Sequence, residues 1–252
     1  MKLATWNVNS LRVRLQHLLG WLAAVQPDVA CLQETKTEDR SFPLAEIEAA
    51  GYRVVYSGQK TYNGVAIISR APLSAEARGI ADFADEPKRV IAATVEGLRI
   101  VCLYAPNGQA PASEKYEYKL RWYAALTAWL KKEVSGEVAV LGDLNIAPEP
   151  RDVHDPKRWE GKIHFSEPER AAFRALVDLG FKDAFRLFPQ AEERFTWWDY
   201  RLAAFQRGWG LRIDHILLSP TLAPRCRSCR IDVAPRKLER PSDHAPVVAE
   251  LS

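Results

Sequence analysis

Asp143 and Asn145 stand two residues apart at the end of the stretch VAVLGDLN, residues 138–145. Four apolar residues run into Gly142 and then into these polar groups, the pattern of a buried strand that ends at a rim. A period of two puts both side chains on one face. A carboxylate that takes a proton, beside a carboxamide that orients water or a substrate oxygen, is a plausible hydrolytic pair. Alone, the octamer reads equally well as a strand followed by a polar turn. Its weight comes from other segments built the same way. Asn7, Glu34 and Tyr104 also close apolar runs, while Asp214 and His244 precede them. In antiparallel sheets the exit of one strand and the entrance of its neighbour share a rim, so all seven can converge.

Such a set suits phosphodiester hydrolysis assisted by a hard cation. Mg²⁺ prefers carboxylate and amide oxygens and keeps several waters, which Glu34 with Asn7 would satisfy. The absence of paired His or Cys ligands disfavours zinc catalysis. The cation would neutralise a phosphate, Asp143 would orient or deprotonate water, and a carboxylate-paired histidine would hold a nonbridging oxygen. Each residue also has an ordinary reading: His244 as a capping or core histidine, Asp243 as a turn residue, Asp214 as the salt-bridge partner of Arg212. Those readings account for the residues singly and leave their shared position unexplained.

The elements that must position these groups follow in chain order. Residues 2–8 alternate toward Asn7 as a first strand, and Asn9 or Ser10 can cap a helix with Leu11, Leu15, Leu18, Leu19 and Leu22 at helical spacing. Residues 29–32 form a short strand closing on Gln33 and Glu34. The spacing predicts a helix over 41–50, capped by Ser41 and stopped by Gly51. Residues 52–56 and 64–69 read as paired strands, and their loop carries Lys60 and Tyr62, a basic and aromatic mix able to touch a phosphate backbone. Residues 89–95 and 98–104 form a hairpin around Glu96 and Gly97. The helix over 113–134 is the most strongly patterned, with Tyr116, Leu120, Tyr123, Leu130 and Val134 along one side. A long ordered loop, IAPEPRDVHDPKRWEG, leads to a helix over 166–179 with Ser166 and Glu169 as its capping box. Strands are expected over 215–218, 225–233 and 246–251.

A chain of 252 residues exceeds the usual domain prior, yet no linker divides it, so residues 1–252 are read as one domain. A net charge of +3 leans only weakly toward an anionic partner. Met1 leads into LATWNVNS without a basic start and apolar stretch, and no apolar run is long enough for a membrane, so a cytoplasmic protein is expected. Cys31 and Cys102 sit in apolar runs as core thiols. Cys226 and Cys229 form CRSC, but no second ligand pair follows at zinc-site spacing, so unligated thiols are expected there as well.

Taken together, TWNVNSLR, LQETK, YNGVAI, YAPNG, GDLNIAP, the DVHDP loop, FTWWDYR, GLRIDHILLS and SDHAPV resemble the exonuclease III family of DNA repair enzymes, within the endonuclease/exonuclease/phosphatase superfamily. The resemblance covers nearly the whole chain. It implies an α+β, DNase I-like fold: two stacked, mainly antiparallel sheets flanked by helices in four layers. It implies Mg²⁺ or Mn²⁺ as cofactor and duplex DNA with abasic sites or blocked 3′ ends as substrate, handled by a monomer. Carried over residue by residue, Glu34 with Asn7 resembles the principal metal site, and Asp143, Asn145, Asp243 and His244 complete the metal-binding set that the resemblance implies. Asp143 resembles the acid/base residue, Asn145 the transition-state stabiliser, Asp214 the buttress of His244, and Tyr104 a phosphate neighbour. Arg12, Arg14, Lys60, Tyr62, Asn107 and Gln109 would face DNA. Trp197 and Leu211, with Trp209 close by, match an apolar pocket for an extruded abasic sugar. Trp209 and Gln109 depart from the commoner basic or polar residue and arginine. The competing expectations are a phosphoesterase for small molecules on the same core, and a binding protein that has lost catalysis.

Overall fold

The computed structural model describes residues 1–190 and 194–252. Its strands are β1 (Lys2–Asn7), β2 (Val29–Gln33), β3 (Arg53–Ser57), β4 (Val65–Ser69), β5 (Ser74–Arg78), β6 (Val90–Val95), β7 (Leu98–Tyr104), β8 (Val138–Asp143), β9 (Lys182–Asp183), β10 (Trp197–Trp198), β11 (Gly210–Leu211), β12 (Asp214–Leu218), β13 (Cys226–Ile231) and β14 (Val247–Leu251). The helices are α1 (Leu11–Val25), α2 (Leu44–Ala49), α3 (Glu114–Glu133), α4 (Pro156–Trp159) and α5 (Glu167–Asp178). Two six-stranded sheets form, ordered β13-β14-β1-β2-β4-β3 and β5-β6-β7-β8-β12-β9. Each is antiparallel except for one central parallel pair, β1 with β2 and β7 with β8. Each parallel pair is joined through a helix, α1 or α3, as a parallel connection requires.

The central strands are apolar without alternation because both faces are covered. Every residue of β2, β4 and β8 is buried. Leu3, Cys31, Ile67, Ile100, Cys102, Leu141 and Ile216 fill the space between the sheets. Trp122, Leu126 and Leu130 of α3, with Phe173 of α5, cover one outer face; Leu18, Trp21 and Leu22 of α1 cover the other. The result is the expected four-layer α/β/β/α arrangement. Gly142 is required where β8 meets β7, since a Cβ there would lie 1.9 Å from the Leu103 carbonyl oxygen. Helix α3 is capped by Ser113, whose Oγ accepts from the Tyr116 amide at 3.2 Å, and the Ser166–Glu169 capping box starts α5.

The helix expected over 41–50 shrinks to Leu44–Ala49, because Pro43 and the 3₁₀ turn Asp39–Ser41 take its first residues. Ser10 occupies the N-cap position of α1 but makes no side-chain cap bond. Strand β5 was not legible in SAEAR, an edge segment with little apolar pattern. The face of α3 also differs: Lys119 is buried beside Tyr116 and Tyr123, whereas Leu120 is only half-buried.

Candidate active site

Strand registry brings the expected groups to one rim. Asn7 pairs with Gln33 at the shared end of β1 and β2, and Glu34 follows with φ 50°. Tyr104 pairs with Asp143 across β7 and β8, and Asp143 pairs with Asp214 across β8 and β12. His244 arrives just before β14, the antiparallel neighbour of β1. One amide joins the two sheets: Asn7 Nδ2 donates to Glu34 Oε1 at 2.8 Å and to Asp143 Oδ2 at 3.0 Å.

On the other side of Asp143, the His244 Nε2 lies 3.8 Å from Asp143 Oδ2, and His244 Nδ1 donates to Asp214 Oδ2 at 2.8 Å. Asp214 is thus the partner of His244. It is not the partner of Arg212, whose guanidinium bonds Asp152 and Asp183, both at 2.7 Å. Asn145, with φ 52°, donates its amide N–H to Asp143 Oδ1 at 2.9 Å and its Nδ2 to the Ala105 carbonyl.

The electrostatics follow from burial and crowding. Burial, then the nearby Asp214 carboxylate, pushes the Asp143 carboxyl up to about 8, against the opposing pull of His244 and Asn7. Burial alone would lower His244, but Asp214 and Asp143 overcome it and push the imidazole up to about 10. Burial and then Glu34 and Asp143 raise the Tyr104 phenol, which stays protonated and able to donate.

Glu34, Asp143 and His244 each present a ligand atom, all within 4.8 Å of one another. Asp214 Oδ1 is buried without a hydrogen-bond partner. Three carboxylates crowded at one rim, with one buried oxygen left without a donor, fit a hard divalent cation. Asp243 stands apart from this trio: its Oδ1 accepts from Asn9 Nδ2 at 2.8 Å and its Oδ2 from Trp197 Nε1 at 2.9 Å, so it orients the tryptophan.

The flanks are basic and aromatic. Arg12 and Lys60 line one cleft with Lys36 and Arg40. Exposed Tyr62 shares a second groove with Tyr104, Asn107 and Gln109. Arg14, expected to face DNA, is half-buried and clips the Asn9, Arg240 and Pro241 carbonyls. Leu211 does not line a pocket either. It is fully buried in a cluster with Ala147, Val153, Phe165 and Ile213, against which Trp159 and Trp197 pack.

Three site-forming residues escaped sequence reasoning. Lys36 Nζ bonds Glu34 Oε2 at 2.8 Å and Asn9 Oδ1 at 2.6 Å. His164, buried and with φ 71°, donates from Nδ1 to the Asn145 carbonyl at 2.9 Å, and its ring centroid lies 6.2 Å from that of Trp197. Burial first, then Lys119, lowers its imidazole to about 4, so it is neutral at pH 7. Lys119 Nζ is buried between the Asn145 carbonyl (2.7 Å), the Asn107 carbonyl (3.1 Å) and Glu169. Its helical spacing from Tyr116 and Tyr123 was the available signal.

The model of the endonuclease/exonuclease/phosphatase family matches residues 4–244. Exodeoxyribonuclease III of Haemophilus influenzae is 40% identical over 99% of both chains. Among solved structures, the 3′ phosphatase NExo from Neisseria, bound to a product DNA hairpin, superposes with a TM-score of 0.98. It is 48% identical and covers 100% of this chain and 99% of its own. An AP endonuclease from Archaeoglobus fulgidus gives a TM-score of 0.96 at 41% identity, over 100% and 99% of the two chains. The chain therefore belongs to the endonuclease/exonuclease/phosphatase family, as a hydrolase of its exonuclease III branch.

Proposed function

We propose that the protein is a metal-dependent phosphoesterase of duplex DNA that processes 3′ ends, releasing blocking phosphates or nucleotides, and incises 5′ to abasic sites. The observation that carries this reading is the Asn7 amide spanning Glu34 and Asp143, with the Asp214–His244 pair on the far side of Asp143. Glu34 with Asn7 would hold Mg²⁺ or Mn²⁺, beside Asp143. The ion supplies charge neutralisation at the phosphate. Asp143 orients and deprotonates water, and Asn145 steadies the reacting oxygens. His244, kept protonated by Asp214, and the Tyr104 hydroxyl donate to nonbridging oxygens. Arg12, Lys60, Tyr62, Asn107 and Gln109 grip the strand around the site.

The 3′-terminal reaction is the leading part of the proposal. The solved relative at 48% identity is described as a 3′ phosphatase with product DNA bound. The His164 ring stands 6.2 Å from that of Trp197, centroid to centroid, and Leu211, expected in the sugar pocket, is fully buried. A cytoplasmic monomer is the setting this reading assumes; no described helix is long and apolar enough to cross a membrane.

The test uses end-labelled duplexes, one with a 3′ phosphate, one with a 3′ hydroxyl and one with an internal abasic site. Metal-dependent release from the 3′ end, lost with chelator and in Asp143→Asn, is the expected result, and the abasic duplex sets the endonuclease share. Binding without any cleavage would move the assignment to a regulator, and faster turnover of a small phosphoester would move it to the alternative substrate class.

A further inference from the structure

Residues 240–244, which carry Asp243 and His244 to the rim, lie outside the named strands, yet each of their carbonyls accepts a hydrogen bond. The Arg240 carbonyl accepts from Arg14 Nε at 3.2 Å, and that of Pro241 from the Tyr200 hydroxyl at 2.8 Å and Arg14 Nη2 at 3.1 Å. The Ser242 carbonyl accepts from Arg236 Nη1. The Asp243 carbonyl takes the Trp198 amide at 3.1 Å, and the His244 carbonyl takes Trp6 Nε1 at 3.2 Å. Ser242 Oγ ties the segment to β1: it donates to the Asn7 carbonyl at 2.7 Å and accepts from the His244 amide at 3.2 Å. Asn7 and His244 are thus joined through one hydroxyl.

Arg236 differs from the other donors. It comes from the 3₁₀ turn Ala234–Lys237 and is 6% exposed. Its guanidinium lies 4.8 Å from the centre of the Phe205 ring, 5.7 Å from that of Trp198 and 5.9 Å from that of Tyr200. Among the described residues its buried Nε has no hydrogen-bond partner. Burying a cation is costly, and an apolar side chain of similar volume would fill this aromatic cage without that cost. What the cation adds is a charge-assisted bond to the Ser242 carbonyl, about twice as strong as a neutral one. Trp198 closes β10, and Tyr200 and Phe205 follow it, so Arg236 also fastens that stretch to the segment bearing His244.

We propose that Arg236 is a positioning residue for phosphoester hydrolysis: it fixes the Ser242 peptide and, through Ser242 Oγ, the His244 amide, so that the imidazole meets Asp214 on one side and the phosphate on the other. The inference rests on His244 acting at the phosphate, as the proposed function has it. Arg236 itself is buried behind the segment and reaches the substrate only through His244. Its loss therefore leaves duplex binding in place and misaims the imidazole.

The test begins with Arg236→Met, which fills the cage and removes the donor. With Mg²⁺ present, and where far-UV dichroism shows the variant fully folded, kcat for release of a 3′ phosphate falls about 10²-fold while KM for the duplex stays within about twofold, the signature of a misplaced group. Combined with His244→Gln, Arg236→Met costs nothing further, because the group it positions is gone. An additive loss would place its action elsewhere and overturn the proposal. A second measurement needs no turnover. In isotopically labelled protein the His244 Nδ1 proton, held by Asp214 Oδ2 at 2.8 Å, gives a low-field magnetic resonance signal that is missing in His244→Gln. That signal is lost or displaced in Arg236→Met, and in Phe205→Leu, which removes the nearest ring of the cage and serves where Arg236→Met does not fold. An unchanged signal in the folded variants would overturn the proposal. Failure of the wild type to release a 3′ phosphate would count against the proposed function instead, and the resonance would still decide the role of Arg236.

Discussion

Replacing Lys119 by Met isolates what the buried polar network contributes. Lys119 and Glu169 are both fully buried. After the substitution, Glu169 retains the His164 amide at 3.0 Å, the Ser166 amide at 3.1 Å and the Ser166 hydroxyl at 2.5 Å, all neutral donors. Those bonds satisfy its lone pairs without balancing its charge, and the Asn107 and Asn145 carbonyls each lose a donor. Breaking a buried pair from one side costs about 3–5 kcal/mol. Urea unfolding should therefore show Lys119→Met less stable by that amount, at an unchanged denaturant slope. Glu169→Gln combined with Lys119→Met removes both charges and should recover about 1–3 kcal/mol relative to the sum of the single changes. Because the lost donor also fixes Asn145, release of a 3′ phosphate should slow under conditions where the variant is fully folded. A single-variant loss below about 1 kcal/mol, or strict additivity, would show that the pair does not hold the site together.

Asp143→Asn should lower turnover by about 10²–10⁴-fold with far-UV dichroism and duplex affinity retained, as removal of a general base predicts; activity within tenfold of wild type would exclude the assigned role. His164 supplies an acid-side instability: its imidazole sits at about 4 in the folded chain against 6.5 unfolded. As pH falls from 6.5 toward 4 the unfolded chain takes up a proton that the folded chain refuses, so stability is lost across that window, by about 2–3 kcal/mol at pH 4.5. His164→Gln should flatten this part of the urea-stability profile, and an unaltered profile would refute it. Neutralising Arg12 and Lys60 together should reduce the slope of log affinity against log salt for duplex DNA by about 2; an equal slope would place the DNA elsewhere.

What the sequence made legible depended on how local each signal is. Continuous apolar runs in β2, β4 and β8 declare doubly covered strands, and strand ends declare the rim, so Asn7, Glu34, Asp143, Asp214 and His244 could be gathered before any contact was known. The pairing of Asp214 with His244 rather than Arg212 was not legible, because Arg212 is satisfied by Asp152 and Asp183, some 60 and 29 positions earlier in the chain. Leu211 looked like a wall for a sugar because an apolar residue near Trp197 reads the same whether it faces a pocket or the core. Leu211 pairs with Trp197 across β10 and β11 and shares its face, but Ala147, Val153, Phe165 and Ile213 cover it completely, a tertiary packing that composition does not encode. Lys119 and His164 were missed for the opposite reason: polar residues are placed outside by default, and only their tertiary partners show that they are buried.

Two buried aspartates in this fold carry opposite shifts, and their comparison shows what the rim lacks on its own. Asp183 is desolvated, which by itself would raise its carboxyl, yet the Arg212 guanidinium at 2.7 Å and His215 hold it well below the usual carboxylate range. Asp143 is also desolvated, and it accepts bonds from the Asn7 side chain and the Asn145 backbone, but its nearest charged neighbours include Asp214 and Glu34. His244 is the compensating cation at 3.8 Å, and it is already committed to Asp214 at 2.8 Å. Neutral hydrogen bonds and a shared imidazolium therefore leave Asp143 near 8, a poor resting state for a base at pH 7. Lys36 already pairs with Glu34 Oε2 on the side away from Asp143 Oδ2, and further positive charge between Glu34 and Asp143 would act on Asp143 as Arg212 acts on Asp183, drawing the carboxyl back down to where it can accept a proton from water. The excess of acid at this rim is thus a requirement for a cation that the chain's own side chains do not meet, and it ties the base to occupancy of the site beside it.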